Sequence, residues 1–286
     1  RIRYDIARAS AVTPSALVAA AVLGQRGRGL SRKDLGERVA TIYNVAEASA
    51  ARFSATLGRD FDGAIARALR LLVDGGILEL RGEGDDELVV LPDTGRGRLE
   101  YYKNNMIHAI ADASIVARSV LVARDENEAK DVALRASRLL KNELVYRPGA
   151  AFADIFSNTV SVLVKTGQVR HEQGAIVPSE SGRIFLPALA RLTSSYLDAY
   201  AVTVRTAQRE PGLRAPREIA TRSMHHGERA LILGEAPRPE LLSRSYFEGA
   251  VELLTEREAI GEPEELATIQ RELASIDERM WSFGGS

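Results

Sequence analysis

The chain has 286 residues, 45% of them apolar and 27% charged, a composition typical of a folded globular protein rather than a disordered one. Its 38 Lys and Arg residues against 39 Asp and Glu residues give a formal net charge of −1, which argues against a general binder of polyanions. The sequence has no cysteine, which excludes disulfides, thiolate metal sites and a cysteine nucleophile.

The first third of the sequence predicts three helices followed by a β-hairpin. Thr13 is a suitable N-cap before Pro14, and Ser31 with Asp34 three positions later resembles a capping box. The predicted helices cover 14–23, 32–43 and 60–74, and the predicted strands cover 77–80 and 88–91. This order is typical of a winged-helix module. The connection 25–30 is predicted to be a basic, flexible loop.

The middle and last thirds predict mostly helix. The predictions in chain order are a Gly-containing linker over 92–98, helices over 99–123, 126–143 and 152–165, a second hairpin over 169–177, and helices over 182–206, 217–233 and 240–256. An acidic amphipathic helix over 262–279 precedes Trp281 and Phe283.

The sequence therefore predicts a mainly α fold, a helical bundle with short β-hairpins and winged-helix-like modules. Three domains are predicted: a winged-helix-like helical module over 1–98, a helical region with the second hairpin over 99–210, and a C-terminal helical segment with an acidic tail over 211–286.

No segment of the sequence is typical of a membrane-spanning helix, which needs about 20 mostly apolar residues. The apolar run 16–23 is too short, and the longer stretch 106–123 contains His108, Asp112 and Arg118. Charged side chains at mid-span cost about 2.5–3.5 kcal/mol each on insertion scales. Because the chain begins at Arg1 without Met or a secretory signal, we expect it to belong to a longer polypeptide.

Motifs for covalent catalysis, nucleotide binding or metal binding are missing from the sequence. There is no Gly-x-Ser-x-Gly elbow and no phosphate-binding P-loop, and the histidines at 108, 171, 225 and 226 lie in no zinc-ligand pattern. We therefore expect no catalytic residue, no metal and no cofactor in this chain.

The most distinctive segment of the chain combines phenols, amides, a lysine and a histidine just before an apolar helix. Such groups can hydrogen-bond a polar ligand or join two subdomains. The candidate interdomain or ligand contacts are Tyr101, Tyr102, Lys103, Asn104, Asn105 and His108. The alternative is that Tyr101, Asn105 and His108 fill polar positions at an ordinary helix–helix contact.

The winged-helix pattern raises a second functional class, a regulatory or protein-interaction module that could bind nucleic acid. The third helix region offers only Arg59, Arg67 and Arg70, whereas the hairpin turn contains acidic residues at 83, 85, 86 and 87, which would repel phosphates. Nucleic-acid binding is therefore not expected. The basic residues of the first loop are candidates for contact with anionic lipid, and a solvated loop is the alternative: Arg26, Arg28, Arg32 and Lys33.

Three stretches of the sequence resemble one enzyme family in the same order. They are 11–19 with 28–31 (Ala-Val-Thr-Pro-Ser-Ala-Leu-Val-Ala and Arg-Gly-Leu-Ser), 101–108 (Tyr-Tyr-Lys-Asn-Asn-Met-Ile-His) and 139–144 (Leu-Leu-Lys-Asn-Glu-Leu). Together they resemble the C-terminal region of the bacterial membrane-associated glycerol-3-phosphate acyltransferases, which are related to the mitochondrial enzymes. The continuation 109–112 departs from the family's aromatic-rich version.

The resemblance also shows what this chain lacks. The family's reaction uses a His-x-x-x-x-Asp motif, in which the histidine is the general base, and a Phe-Pro-Glu-Gly-Thr-Arg phosphate-binding block. The residues five positions after the four histidines are Ala113, Ile176, Ala230 and Leu231, and the phosphate-binding block is absent. The resemblance therefore implies a non-catalytic C-terminal region that supports an upstream acyltransferase domain of the same polypeptide. It also implies a cytoplasmic location, peripheral to the inner membrane, with acyl-CoA or acyl carrier protein bound only through that upstream domain.

Overall fold

The computed structural model describes residues 9–145, 149–236 and 238–277. Contacts divide the chain into two compact units. Unit 1 contains the described residues up to Lys130 and those from Val145 to Leu192, and unit 2 contains Asp131–Leu144 and the described residues from Thr193 onward. The predicted three-domain division stays a prediction.

Unit 1 begins with four helices and a small sheet. The elements are α1 (Pro14–Leu23), β1 (Gly29–Ser31), α2 (Arg32–Ala48), α3 (Ala55–Arg59), α4 (Phe61–Asp74), β2 (Glu79–Arg81) and β3 (Leu88–Val90). The strands form an antiparallel sheet in the order β1-β3-β2. The predicted caps are confirmed, because the hydroxyls of Thr13 and Ser31 accept hydrogen bonds from the backbone N–H groups of Ala16 and Asp34.

Helix α1 is the centre of this part of unit 1. Its side chains from Ala16 to Val22 are buried, and it packs against α2, α4 and the helix that follows β3. A short helix that is apolar all round belongs in a protein core, which explains the apolar run in the sequence. The predicted loop 25–30 is wrong at its end, because Gly29–Ser31 pairs with β3 and Leu30 is buried opposite Val89.

The predicted linker over 92–98 is wrong. Helix α5 spans Asp93–Asn104 and begins directly after Pro92. Gly95 is needed for packing rather than for flexibility, since a Cβ at this position would collide with the backbone carbonyl of Ile77. The glycine therefore lets the helix lie directly against the chain before β2.

The single helix predicted over 99–123 is two helices. Helix α5 ends at Asn104, α6 spans Ile107–Val122, and the pair bends by 102° between them. Two short-range bonds tighten the turn: Met106 N–H donates to the Lys103 carbonyl, and Ala109 N–H donates to the Met106 carbonyl. Met106 is itself fully buried, so the bend is part of the core.

The remainder of unit 1 packs around α6. Helix α7 (Glu126–Leu139) crosses the division between the units, and α8 (Phe152–Lys165), β4 (Val169–Glu172), β5 (Ala175–Pro178) and α9 (Glu180–Ala190) follow. Strands β4 and β5 form the predicted second hairpin. Helix α6 packs against α8 and α9. The helix predicted over 182–206 is wrong as one element, because a 3₁₀ turn at Arg191–Thr193 interrupts it.

Unit 2 is built around one buried helix. Helix α10 (Ser194–Arg209) contacts α11 (Pro216–Ile232), α12 (Arg244–Glu256) and α13 (Pro263–Ile276). The helix predicted from 240 begins later, since Pro239–Leu241 forms a 3₁₀ turn. The apolar stripe of the tail helix is confirmed as the buried face of α13, whereas Trp281 and Phe283 lie outside the described residues.

The described residues therefore confirm a mainly helical fold with a few small antiparallel strands. Within them, no single helix is both long enough and apolar enough to cross a membrane; α5 and α6 meet the length and composition together, but with the 102° bend between them.

Candidate functional site

A large pocket lies within unit 1 where three helices meet. It has a volume of about 1150 Å³ and is lined by the end of α2 (48–52), the first half of α6 (108–113) and the start of α8 with the residues before it (145, 149–162). Each of these helices contacts the other two, so the walls of the pocket are fixed by helix packing.

His108 and Asp112 face this pocket from α6. They are four residues apart, so both lie on one face of the helix. Burial lowers the pKa of His108, and a hydrogen bond to the backbone of Ser10 acts in the opposite direction. Burial raises the pKa of Asp112 to about 6. Solvent reaches the Asp112 carboxylate through the mouth of the pocket, but the surrounding helices still remove enough water to disfavour its charge.

Two further charged side chains line the opposite walls. Asp154 lies in the first turn of α8, and Arg52 follows α2 and donates a hydrogen bond to the Ala9 carbonyl at 3.5 Å. With His108 neutral at pH 7.5, the described lining carries two negative charges and one positive charge. The pocket is therefore weakly acidic.

The end of α2 adds to this negative character. Ala50 adopts φ 58°, and Ala51 N–H donates back to the Ala46 carbonyl, a geometry that ends the helix with a left-handed residue. The carboxyl end of a helix carries a partial negative charge, and residues 48–51 place that end in the pocket wall.

The chemistry of the pocket argues against two kinds of ligand. A phosphate group needs several cationic or N–H donors, and Arg52 is the one cation in the described lining. A metal ion is also not supported, because the described residues contain no group of three or more His, Asp or Glu side chains positioned to hold one.

The distinctive segment 101–108 is divided between the inside and the outside of unit 1. Lys103 is 1% exposed, and its Nζ lies 2.7 Å from Glu100 Oε1 and 2.7 Å from the carbonyl oxygen of Leu192. Glu100 is buried as well. This buried ion pair attaches α5 to the chain after α9, so the lysine has a structural position in the core of the unit.

The other residues of this segment lie nearer the surface. Tyr101 is 68% exposed and packs edge-on against the half-buried Tyr102, with ring centroids 5.9 Å apart. Asn104 is half-buried, Asn105 is exposed at the end of α5, and His108 reaches the pocket. The structure therefore does not bring all six candidate residues into one site.

The basic residues of the first loop are exposed, but two of them have acidic partners. Arg28 lies 3.0 Å from Asp93, and Arg32 lies 3.3 Å from Glu87. Arg26 and Lys33 are exposed and have no ion-pair partner in the part of the chain described. The positive charge available to an external anion is therefore smaller than the sequence indicates.

The segment 139–144 lies in unit 2 and is structural. Leu139 and Leu140 are buried, the Tyr200 hydroxyl lies 3.3 Å from Glu143 Oε1, and Lys141 pairs with Glu256 at 2.6 Å. Burial is the largest cause that raises the pKa of Tyr200, followed by the nearby Glu143 charge. These contacts join the end of α7 to α10 and α12.

Sequence reasoning identified His108 but missed the pocket around it. A search for a histidine and an aspartate five positions apart passes over His108 and Asp112, whose spacing of four is a helical one. Asp154 and Arg52 carry no signal in the sequence, because only the packing of α2, α6 and α8 brings them near His108.

Comparison with known proteins identifies one family that matches most of the chain. The family model described as the glycerol-3-phosphate acyltransferase C-terminal region matches residues 1–262. A putative acyltransferase plsB1 of Mycobacterium tuberculosis (strain ATCC 25618 / H37Rv) is 25% identical over 275 residues, which cover 91% of this chain and 43% of that protein. A glycerol-3-phosphate acyltransferase of Haemophilus influenzae (strain PittEE) is 23% identical over 290 residues, covering 97% of this chain and 35% of that protein. The chain thus spans less than half the length of these relatives.

Proposed function

The chain belongs to the family of glycerol-3-phosphate acyltransferase C-terminal regions, and we propose that it is a non-catalytic scaffold that supports an acyltransferase domain upstream in the same polypeptide. That upstream domain would transfer an acyl group from acyl-CoA or acyl carrier protein to the sn-1 hydroxyl of glycerol-3-phosphate, a step of phospholipid biosynthesis. The chain itself would bind neither acyl donor.

One observation carries this proposal. The chain matches the family model over 262 residues but has no acidic residue five positions after any of its histidines. Acyl transfer to a hydroxyl needs a general base oriented by a second group. His108 and Asp112 are the nearest substitute, yet no hydrogen bond or ion pair joins them among the described residues, and Asp112 is not placed to orient the imidazole.

The test is an activity assay on the purified chain. With radiolabelled glycerol-3-phosphate and either palmitoyl-CoA or palmitoyl acyl carrier protein, we expect no product above a blank without protein. Turnover by the chain would contradict the proposal if the substitutions His108→Ala and Asp112→Asn abolished it, because the activity would then belong to this pocket. A variant at His225, an exposed histidine of unit 2, is the matched control.

We further propose that the exposed side of the 101–108 segment contacts the upstream domain. Tyr101 is a large aromatic residue left 68% exposed beside the buried Lys103–Glu100 pair. Exposed aromatic side chains on a rigid base are typical of protein interfaces. In the full-length enzyme, Tyr101→Ala should lower activity while leaving the isolated chain as stable as the wild type.

We also propose that residues 14–90 form a winged-helix-like module that has a structural role in this chain. The order α1, β1, α2, α4, β2, β3 with the sheet order β1-β3-β2 supports this assignment. Its charges do not favour the alternative function of nucleic-acid binding: Arg67 pairs with Asp60, and Glu83, Asp86 and Glu87 lie at the β2–β3 turn, while the Asp85 side chain lies outside the description. Salt-dependent binding of the purified chain to duplex DNA would favour the alternative.

For the same polypeptide we propose a peripheral position at the inner membrane. Arg26 and Lys33 are the exposed cations of the first loop that have no acidic partner in the described structure. Each cation near an anionic surface contributes about 1 kcal/mol. Flotation with anionic vesicles should therefore weaken in an Arg26→Gln/Lys33→Gln variant, and equal flotation with neutral vesicles would contradict the role of these cations.

A further inference from the structure

The side chains that line the pocket of unit 1 determine which kinds of ligand it can bind. Between the charged groups the wall is mixed. Ser49, Ser157, Asn158 and Thr159 contribute polar side chains, and the other side chains are small and aliphatic: Ala48, Ala50, Ala51, Ala109, Ala113, Val145, Ala150, Ala151, Ile155 and Val162. No Phe, Tyr or Trp is found among the described lining residues. The described wall therefore suits a ligand that combines methylene groups with hydrogen-bonding groups, and it offers no aromatic surface on which a base or a quaternary ammonium group could stack.

The charged groups on this wall lie on separate helices. Asp112 projects from α6 and Asp154 from α8, and neither has a hydrogen-bond or ion-pair partner among the described residues. The carboxyl end of α2 lines a third side. Arg52 is the opposing charge in the described lining, and it donates one hydrogen bond of 3.5 Å to the Ala9 carbonyl. The pocket thus has two separated acceptors for positive charge.

We propose that this pocket binds a small aliphatic polyamine, with one primary ammonium group at Asp112, a second at Asp154 and the methylene chain along the alanine wall. A primary ammonium donates three hydrogen bonds and can bond a carboxylate directly, whereas a trimethylated ammonium donates none. The volume of about 1150 Å³ is ample for such a molecule. The proposal concerns binding alone and does not depend on the acyltransferase role.

The ionisation of Asp112 gives the proposal a specific signature. Among the described lining residues, the titratable groups that share the pocket with Asp112 are His108 on its own helix, Asp154 on α8 and Arg52 after α2, while residues 48–51 contribute no titratable side chain. An ammonium group beside the Asp112 carboxylate favours the charged form. Since the pKa of free Asp112 is about 6, binding near pH 6 should release a proton into the buffer.

The experiment is isothermal titration calorimetry of the purified chain with spermidine, whose amines stay protonated throughout. At pH 7.5 we expect saturable binding that Asp112→Asn and Asp154→Asn each weaken at least tenfold, while Asp74→Asn, an exposed carboxylate at the end of α4, leaves it unchanged. At pH 6, titrations in two buffers of different ionisation enthalpy should reveal the released proton, and Asp112→Asn should abolish that difference.

The pH dependence of spermidine binding to the wild type tests the proposal without any variant. At pH 5 only about a tenth of Asp112 is ionised, so the affinity should fall roughly tenfold relative to pH 7.5. A permethylated diamine of equal length should bind more weakly than spermidine. Absence of saturable binding at millimolar spermidine, or equal affinity at both pH values, would overturn the proposal, as would equal loss in Asp74→Asn.

Discussion

Replacing Lys103 by Met should lower the free energy of unfolding of unit 1 more than the substitution of an exposed charged residue does. The lysine is 1% exposed, and its Nζ lies 2.7 Å from Glu100 Oε1 and 2.7 Å from the Leu192 carbonyl oxygen. The methionine fills a similar volume but removes the positive charge of Lys103 from beside the buried Glu100 carboxylate. Removing one partner of a buried pair costs about 3–5 kcal/mol, which for a unit of this size lowers the melting temperature by about 10 °C.

The reasoning is tested by urea unfolding together with hydrogen exchange of the α5 and α6 amides. Exchange locates the lost stability in unit 1 even if the two units unfold separately. The double variant Lys103→Met/Glu100→Leu should recover at least about 2 kcal/mol, because an apolar pair of similar volume replaces a buried ion pair with little loss. Arg28→Gln, in an exposed pair with Asp93, is the control and should change stability by no more than about 0.5 kcal/mol. If Lys103→Met costs no more than this control, the buried pair does not hold the bend.

Three further predictions concern single side chains. Gly95→Ala should destabilise unit 1 by about 2 kcal/mol in urea unfolding, because its Cβ collides with the Ile77 carbonyl, whereas Gly97→Ala, with open space around it, should be neutral or slightly stabilising. Asp112→Asn should raise the free energy of unfolding at pH 7.5 by about 1 kcal/mol, a value reduced because solvent reaches this side chain, and should have no effect at pH 4. Because the pKa of Asp112 is raised in the folded state, its ionisation lowers the stability of the wild type as the pH rises from about 4 to about 6. Urea unfolding curves measured across this pH range check the sign of the effect. Arg257→Leu removes bonds of 2.7 Å to Glu265 and 2.6 Å to Glu272, so α13 amides should exchange faster while those of unit 1 remain unchanged.

Local patterns in the sequence were enough to locate the elements that have one clear apolar face or a standard cap. Helix α8 was predicted over 152–165 and is observed over the same residues, and the two hairpins follow glycine-containing turns. The prediction of a Gly-containing linker over 92–98 is wrong because Gly95 lies in a helix, where it allows a close contact with Ile77. That contact joins segments distant in sequence, so no local pattern reveals it.

The candidate site was harder to predict for the same reason. The neighbours of His108 in sequence identify it as a candidate, but the other charged residues of the pocket come from its own helix (Asp112), from α8 (Asp154) and from the segment after α2 (Arg52). The predicted group 101–108 is split by the 102° bend, since Lys103 turns into the core and His108 faces the pocket. A helical spacing of four between His108 and Asp112 was the one signal available in the sequence.

The bend between α5 and α6 connects the stability of unit 1 to the geometry of its pocket. Lys103 fixes the end of α5 to Leu192, and five residues later His108 begins the pocket wall on α6. On the same wall, Asp112 has no cationic partner among the described residues, at a cost in stability once it is ionised. Lys103 and Asp112 lie on the two helices that meet at the bend, so the position of α6 and of its pocket face depends on how firmly α5 is held. Loosening this attachment of α5 with Lys103→Met should therefore weaken spermidine binding even under conditions where unit 1 is still folded.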